Sequence, residues 1–170
     1  IKLCGGEKMF IRRLDTFFKN GHYNVANEPS FLTPWLYHWA GHPEMSLDRI
    51  RQIINDNYDD TPDGLPGNDD SGAMSSWLVF NMLGIYPVAG QNLYLVRPDI
   101  TNNGQIHKTN RHEQGLTAGT FMRHDDVVEY LRNQPLHIDT SLTGRDSNRT
   151  QTVSPTSMMH PEHFPAPQYM

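Results

Sequence analysis

The run Pro66-Gly67-Asn68-Asp69-Asp70-Ser71-Gly72 sets two carboxylates and an amide on a glycine-flanked loop, directly ahead of an apolar stretch. Glycine on either side frees the backbone to bend sharply, and a helix behind the bend gives it a rigid base. Carboxylates aimed into a cleft in this way suit base catalysis or the binding of a hard cation. A second polar cluster, Asn27-Glu28-Pro29-Ser30, also runs straight into a predicted helix. Two acidic loops at the starts of neighbouring helical segments point to one shared site.

Each of these residues also has a plainer use. An acidic side chain at a helix start stabilises the helix by up to about 1 kcal/mol and needs no further role. A cap, however, needs one side chain rather than three. Glu28 reads either as a partner for its own loop, as a hard oxygen ligand for a divalent cation, or as an acceptor for sugar hydroxyls. Asp59, Thr61, Asp63, Gly64 and Asp70 fall at positions one, three, five, six and twelve of an EF-hand loop. Pro66 at position eight, and Asp rather than Glu at position twelve, weaken that match. His38 and His42 stand four apart, but Gly41 between them ends the helix and argues against a zinc pair. Trp35, Tyr37, Trp39, Trp77 and Tyr86 read as core before they read as sugar-stacking platforms.

The elements that must carry these loops are helical. Phe10, Leu14, Phe17 and Phe18 follow the i, i+4, i+7, i+8 spacing and predict a helix from Gly6 or Glu7 to Phe18. Thr33 as cap and Pro34 at the first helical position open a second, which carries Trp35, Leu36 and Trp39 and stops at Gly41 and Pro43. A third starts at Ser46, with Leu47, Ile50, Ile54 and Tyr58 facing inward. Residues 59–70 hold Pro62, Gly64, Pro66 and Gly67 and cannot be regular. A fourth helix spans residues 73–83 and ends at Gly84 and Pro87, and residues 93–96 read as a strand. Short helices on short loops pack antiparallel. The predicted fold is mainly α, part of an α/α toroid whose loops at one end form the binding face.

Composition bounds the rest. At 170 residues the chain is about one domain long. A net charge of −5 with no basic stripe argues against a nucleic-acid partner. No run is long and apolar enough to span a membrane. The single cysteine, Cys4, excludes an internal disulfide. The sequence opens at Ile1 without Met or a signal peptide and reads as a piece of a longer chain. From Arg97 onward the apolar order fades, which divides the chain into residues 1–96 and a divergent, poorly ordered tail, 97–170. His160, His163 and the sequon Asn148-Arg149-Thr150 fall in that tail.

Several runs occur together in a telling order and spacing. They are Asn27-Glu28-Pro29-Ser30, Trp35-Leu36-Tyr37, Ala40-Gly41, Arg49-Ile50-Arg51-Gln52-Ile53-Ile54, the stretch from Gly64-Leu65-Pro66 through Ser75-Ser76-Trp77, and Leu83-Gly84-Ile85-Tyr86-Pro87-Val88. Over residues 1–96 this resembles glycoside hydrolase family 92, the calcium-dependent exo-acting α-mannosidases. Gly5-Gly6-Glu7-Lys8 followed by Leu14-Asp15 resembles the helix that precedes the site in that family. The resemblance implies an (α/α)6 catalytic barrel beside an N-terminal β-sandwich; the sandwich and the first part of the barrel are not in this sequence. It implies inverting hydrolysis of terminal α-linked mannose of the α-1,2 type, as in N-glycans or yeast mannan. The two carboxyl groups would stand about 6.5–9.5 Å apart, and Ca2+ would bridge the mannose O2 and O3 hydroxyls.

Carried over residue by residue, Asp70 matches the general base, and Asn68 stands where some members place a second base carboxylate. Asp69 is the acidic residue between them. Asn27 and Glu28 match the Asn-Glu-Pro motif of the calcium and substrate site, with Glu28 as the metal ligand. Family habit implies a secreted or periplasmic enzyme. The family's general acid lies in an upstream Glu-Gly-Asn motif that this sequence does not contain. The expectation is therefore a fragment with the base half of the site and no activity alone, ending in a tail that is out of frame or otherwise non-native. The alternative outside enzymology is a helical calcium-binding or interaction module.

Overall fold

Buried polar bonds, as much as helix periodicity, decide how the helices of this chain sit. The computed structural model describes residues 1–102, 116, 119–133, 136–138 and 151–153. Helix α1 (Glu7–Lys19) is followed by a 3-10 turn (Glu28–Ser30) and a longer 3-10 helix (Thr33–Ala40). Helices α2 (Pro43–Asn57) and α3 (Ala73–Leu83) come next, with the irregular loop 58–72 between them. Strands β1 (Ile85–Pro87) and β2 (Tyr94–Val96), helix α4 (Pro98–Asn102), strand β3 (Phe121–Met122) and helix α5 (His124–Asn133) follow. Strands β4 (Leu136–Ile138) and β5 (Gln151–Val153) form an antiparallel pair.

Helices α1 and α3 keep the predicted limits to within a residue. Two helices differ. The second is 3-10 over Thr33–Ala40, and Thr33 makes no side-chain cap bond. Its geometry is held from outside: the Trp35 indole donates to Asn81 Oδ1 at 3.1 Å, and the Tyr37 hydroxyl to Asp15 Oδ1 at 2.8 Å. Tertiary bonds of this kind outweigh the modest preference for α over 3-10 geometry in so short a piece. Helix α2 begins at Pro43, not Ser46. Proline suits the first helical position, and Ser46 lies inside, bonded to His38 at 2.8 Å.

The main core gathers Trp35, Ile50, Ile54, Trp77 and Leu95, all essentially inaccessible to solvent. Tyr58 stacks on Trp77 and Tyr86 on Trp35. The aromatics Trp35, Tyr37, Trp77 and Tyr86 are thus core residues. A second cluster joins Ile85, Val96 and Ile100 to Met122 and Val127.

The predicted loss of order at Arg97 does not hold for the described residues. Arg97 is 1% exposed. Its guanidinium donates to both carboxylate oxygens of Asp99, at 3.1 and 3.0 Å, and to the Asn81 carbonyl at 3.1 Å. A buried cation needs such partners to offset its desolvation. Beyond it, β3 adds a third antiparallel strand, with Leu95 opposite Phe121, and α5 packs Val127, Tyr130 and Leu131 on the second cluster. A two-residue strand leaves no alternation to read in sequence, because its partner supplies the pattern. The sequon at Asn148 and the residues His160 and His163 lie outside the described residues.

His38 and His42 have opposite surroundings. His42 is partly exposed, bridging Glu44 at 2.9 Å and Glu7 at 3.2 Å. His38 is fully buried between Ser46 and the Val96 carbonyl, which lies 3.0 Å away. Desolvation pushes its imidazole down to about 4. The unfolded chain takes up this proton near the ordinary histidine value, and the folded chain only near 4. Neutral His38 therefore stabilises the fold fully above about pH 6.5, and the contribution fades as pH falls towards 4, by about 3 kcal/mol in all. Urea midpoints should fall across this window and level off in His38→Gln; a flat wild-type profile would contradict the assignment.

Candidate functional site

The site is assembled on the first turns of α3. The free amides there need acceptors. The Asp69 carboxylate takes the Ser75 N–H at 2.9 Å, and its carbonyl takes the Met74 N–H at 3.2 Å. The Asp70 carbonyl takes the Ala73 N–H at 3.3 Å. The residue at the cap position is Gly72, which has no side chain to offer, so the acceptor comes from Asp69, three residues earlier, and one oxygen of its carboxylate already has a partner. Its charge and burial together raise the Tyr58 phenol above its ordinary range, burial being the larger cause.

Asp70 is different. It has φ 49°, followed by Ser71 at 60° and Gly72 at 91°. Three successive left-handed residues turn the chain abruptly before α3, and only the last is a glycine. Left-handed geometry in residues other than glycine costs energy and concentrates at functional sites. Aspartate tolerates it better than most. The sharp bend predicted for the flanking glycines is thus made by Asp70, Ser71 and Gly72. Gly67 serves another purpose: a Cβ there would stand 3.1 Å from the Ala26 Cβ. Its absence lets the α3 loop close on the segment leading to Glu28.

That segment is a 3-10 turn in which the Ser30 N–H donates to the Asn27 carbonyl at 2.9 Å and the Phe31 N–H to the Glu28 carbonyl at 3.0 Å. The turn leaves the exposed Glu28 side chain within hydrogen-bonding reach of Asp70. The hydrogen bond that Asp70 can donate to Glu28 when protonated, then desolvation and the charges of Glu28 and Asp69, hold the Asp70 carboxyl above the usual carboxylate range. Glu28 and Asp70, from separate loops, are both exposed at the surface. Asn27 and Asn68 are exposed beside them in sequence. Glu28 and Asp70 are oxygen donors of the kind a hard cation takes. Among the described residues, no group of three or more His, Cys, Asp or Glu side chains stands close enough to hold a metal ion.

The EF-hand alternative does not form. Asp59 Oδ1 accepts from both the backbone N–H and the hydroxyl of Thr61. The Asp59 N–H donates to the Gly64 carbonyl at 3.0 Å, and the Gly64 N–H to the Thr61 carbonyl at 3.0 Å. This is a closed turn, so tight that a Cβ on Gly64 would lie 2.2 Å from the Asp59 carbonyl oxygen. Asp70, the twelfth position, lies outside this turn, on the left-handed bend before α3.

Trp77 does more than fill the core. Its indole N–H donates to the Phe31 carbonyl at 3.1 Å, which ties α3 to the Glu28 turn. No local signal marks that bond, because its two ends are 46 residues apart.

Known proteins resemble this chain. Residues 1–139 match the family described as glycosyl hydrolase family 92 catalytic domain. A protein of Arthroderma benhamiae named an uncharacterized secreted glycosidase is 47% identical over 98 residues, which are 58% of this chain and 13% of that protein. The family GH92 alpha-mannosidase of Bacteroides thetaiotaomicron, solved in complex with mannoimidazole, is 35% identical over 54% of this chain and 14% of its own, with a TM-score of 0.48. The chain spans a small part of each of these relatives. The family match runs beyond Val96 through β3 and α5.

Neighbouring aspartates should respond oppositely to substitution. Asp69→Ala removes the acceptor of the Ser75 N–H and should lower the unfolding free energy by about 1 kcal/mol. Asp70→Asn keeps the shape, suits left-handed backbone and removes the repulsion with Glu28, so the urea midpoint should rise. A loss in both variants would make Asp70 a structural residue.

Proposed function

Because this chain belongs to glycosyl hydrolase family 92, we propose that it carries the general-base side of a site that hydrolyses terminal α-linked mannose with inversion. The observation that supports this most is geometric: the left-handed turn at Asp70 and Ser71 stands on the α3 start, which Gly67 and the Trp77 indole tie to the segment carrying Glu28. Asp70, ionised, takes the proton of a water as that water attacks the anomeric carbon from the face opposite the leaving oxygen. A neighbouring negative charge strengthens a carboxylate as a base, and a base is most useful when its pKa approaches the working pH. The strained backbone at Asp70 and Ser71 is in keeping with a side chain aimed rather than merely accommodated. Asn68, an amide, cannot take the proton; its part is to orient the water or a sugar hydroxyl. Asp69 holds the loop on α3, and Asn27 presents polar groups to the sugar. In this reading α1, the 3-10 helix, α2 and α3 are one arc of an α/α toroid, and the parent enzyme is exported, as the name of the Arthroderma relative says of that protein.

Calcium belongs to the same proposal. The donor set fits a hard cation in kind, since a divalent ion offsets the crowding of two carboxylates. Calcium takes about six to eight oxygens, so Glu28 supplies an anionic ligand, and carbonyls, water and sugar hydroxyls must supply the others. When bound, the ion orients and polarises sugar hydroxyls. The chain's own tasks remain to hold Glu28 in place and to keep Asp70 free to accept a proton.

The general acid has no counterpart in this sequence, and losing an acid–base group costs roughly two to four powers of ten in rate. The purified chain should therefore release no detectable mannose from α-mannosides; measurable release would overturn this. Calorimetric titration with Ca2+ should give saturable binding that Glu28→Gln abolishes, and mannose should bind more tightly with Ca2+ than without. Calcium binding that leaves mannose affinity unchanged would favour a binding module over a hydrolase.

A further inference from the structure

Two exposed carboxylates on different loops repel each other and would drift apart unless something buried holds their backbones together. The atoms that do so converge on one side chain. Trp77 sits on the second turn of α3, 1% exposed, and its helix anchors the Asp69 and Asp70 carbonyls through the Met74 and Ala73 amides. Its indole N–H donates to the Phe31 carbonyl at 3.1 Å. Phe31 is itself tied by its own N–H to the Glu28 carbonyl at 3.0 Å. The ring is fixed on both sides, stacked on Tyr58 at 5.7 Å and packed against Phe31 at 6.2 Å between centroids. The Trp77 carbonyl accepts from the Asn81 amide at 2.7 Å, and Asn81 in turn receives the Trp35 indole, so the helix cannot easily rotate to release the bond.

We propose that Trp77 is a positioning residue of the site, its indole N–H to the Phe31 carbonyl holding the Glu28 turn in register with the Asp70 loop. The bond replaces free approach of the two loops by a fixed offset between their backbones. The carboxylates are then brought together because the peptide groups beneath them are already joined. The proposal rests on reading Glu28 and Asp70 as one functional pair, and its test separates the two ideas.

The experiment is a double-mutant cycle on the whole chain. Glu28→Gln and Asp70→Asn, singly and together, are placed in the wild-type background and in Trp77→Phe, which keeps an aromatic ring but removes the donor. Urea midpoints are read at neutral pH, with circular dichroism to establish folding. In the wild-type background the two substitutions should be strongly non-additive, each alone relieving most of the repulsion. In Trp77→Phe they should become additive, whereas a merely structural tryptophan would lower all midpoints and leave the coupling intact. Full coupling in Trp77→Phe overturns the positioning role. Absence of coupling in the wild type overturns the paired site itself, and the positioning role with it.

A second measurement does not depend on the variant folding. Coupling is reciprocal, so relieving the repulsion with Glu28→Gln should slow solvent exchange of the Trp77 indole N–H. The expected slowing is roughly two- to fivefold, the range set by exposed charge pairs. The Trp35 indole, bonded to Asn81, is the internal reference and should not change. An unchanged Trp77 exchange rate overturns the proposal.

Discussion

Like charges at a protein surface separate unless the backbone beneath them is constrained, and the arrangement of Glu28 and Asp70 depends on that constraint. The constraint lies in the first turns of α3. There the free amides gather the Asp69 and Asp70 carbonyls and the Asp69 carboxylate, and the Trp77 indole reaches across to Phe31. The helix thus serves as a template on which two loops are registered. The strain at Asp70 and Ser71 persists because the loop is bonded to the helix immediately after it. Gly67 completes the approach by leaving room for Ala26.

Beneath this surface the molecule relies on buried polar groups that hydrogen-bond to one another across the elements. Asn81 is the central one: it accepts the Trp35 indole, donates to the Trp77 carbonyl, and its own carbonyl receives Arg97. His38 links the 3-10 helix to α2 through Ser46 and to β2 through the Val96 carbonyl. Each such contact contributes modestly when made and costs more when broken. Together they specify which helix meets which, a choice that apolar contacts alone leave loose. The family match and the elements beyond Val96 fit this picture, since Arg97 and Asp99 close the seam between α3 and the small sheet.

Asp69 and Asp70 illustrate how neighbouring residues of one type divide their work. One faces the helix and satisfies its amides. The other sits on left-handed backbone and is exposed. The difference follows from position relative to the helix start, where only one side chain can reach the free N–H groups.

Local chemistry determined much of this from the sequence. The limits of α1 and α3 followed from apolar spacing and from the glycines at their ends, because helix formation and capping act over a few residues. The acidic loops, and their resemblance to the family, were legible because they are contiguous runs. What the sequence could not decide is long-range. The 3-10 form of Thr33–Ala40, the burial of Arg97, the third strand and the bond from Trp77 to Phe31 each depend on a partner far along the chain. The division of roles between Asp69 and Asp70 was not legible in the sequence either. That division is set by backbone dihedrals at Asp70, Ser71 and Gly72, which only the packed helix and its neighbouring turn impose.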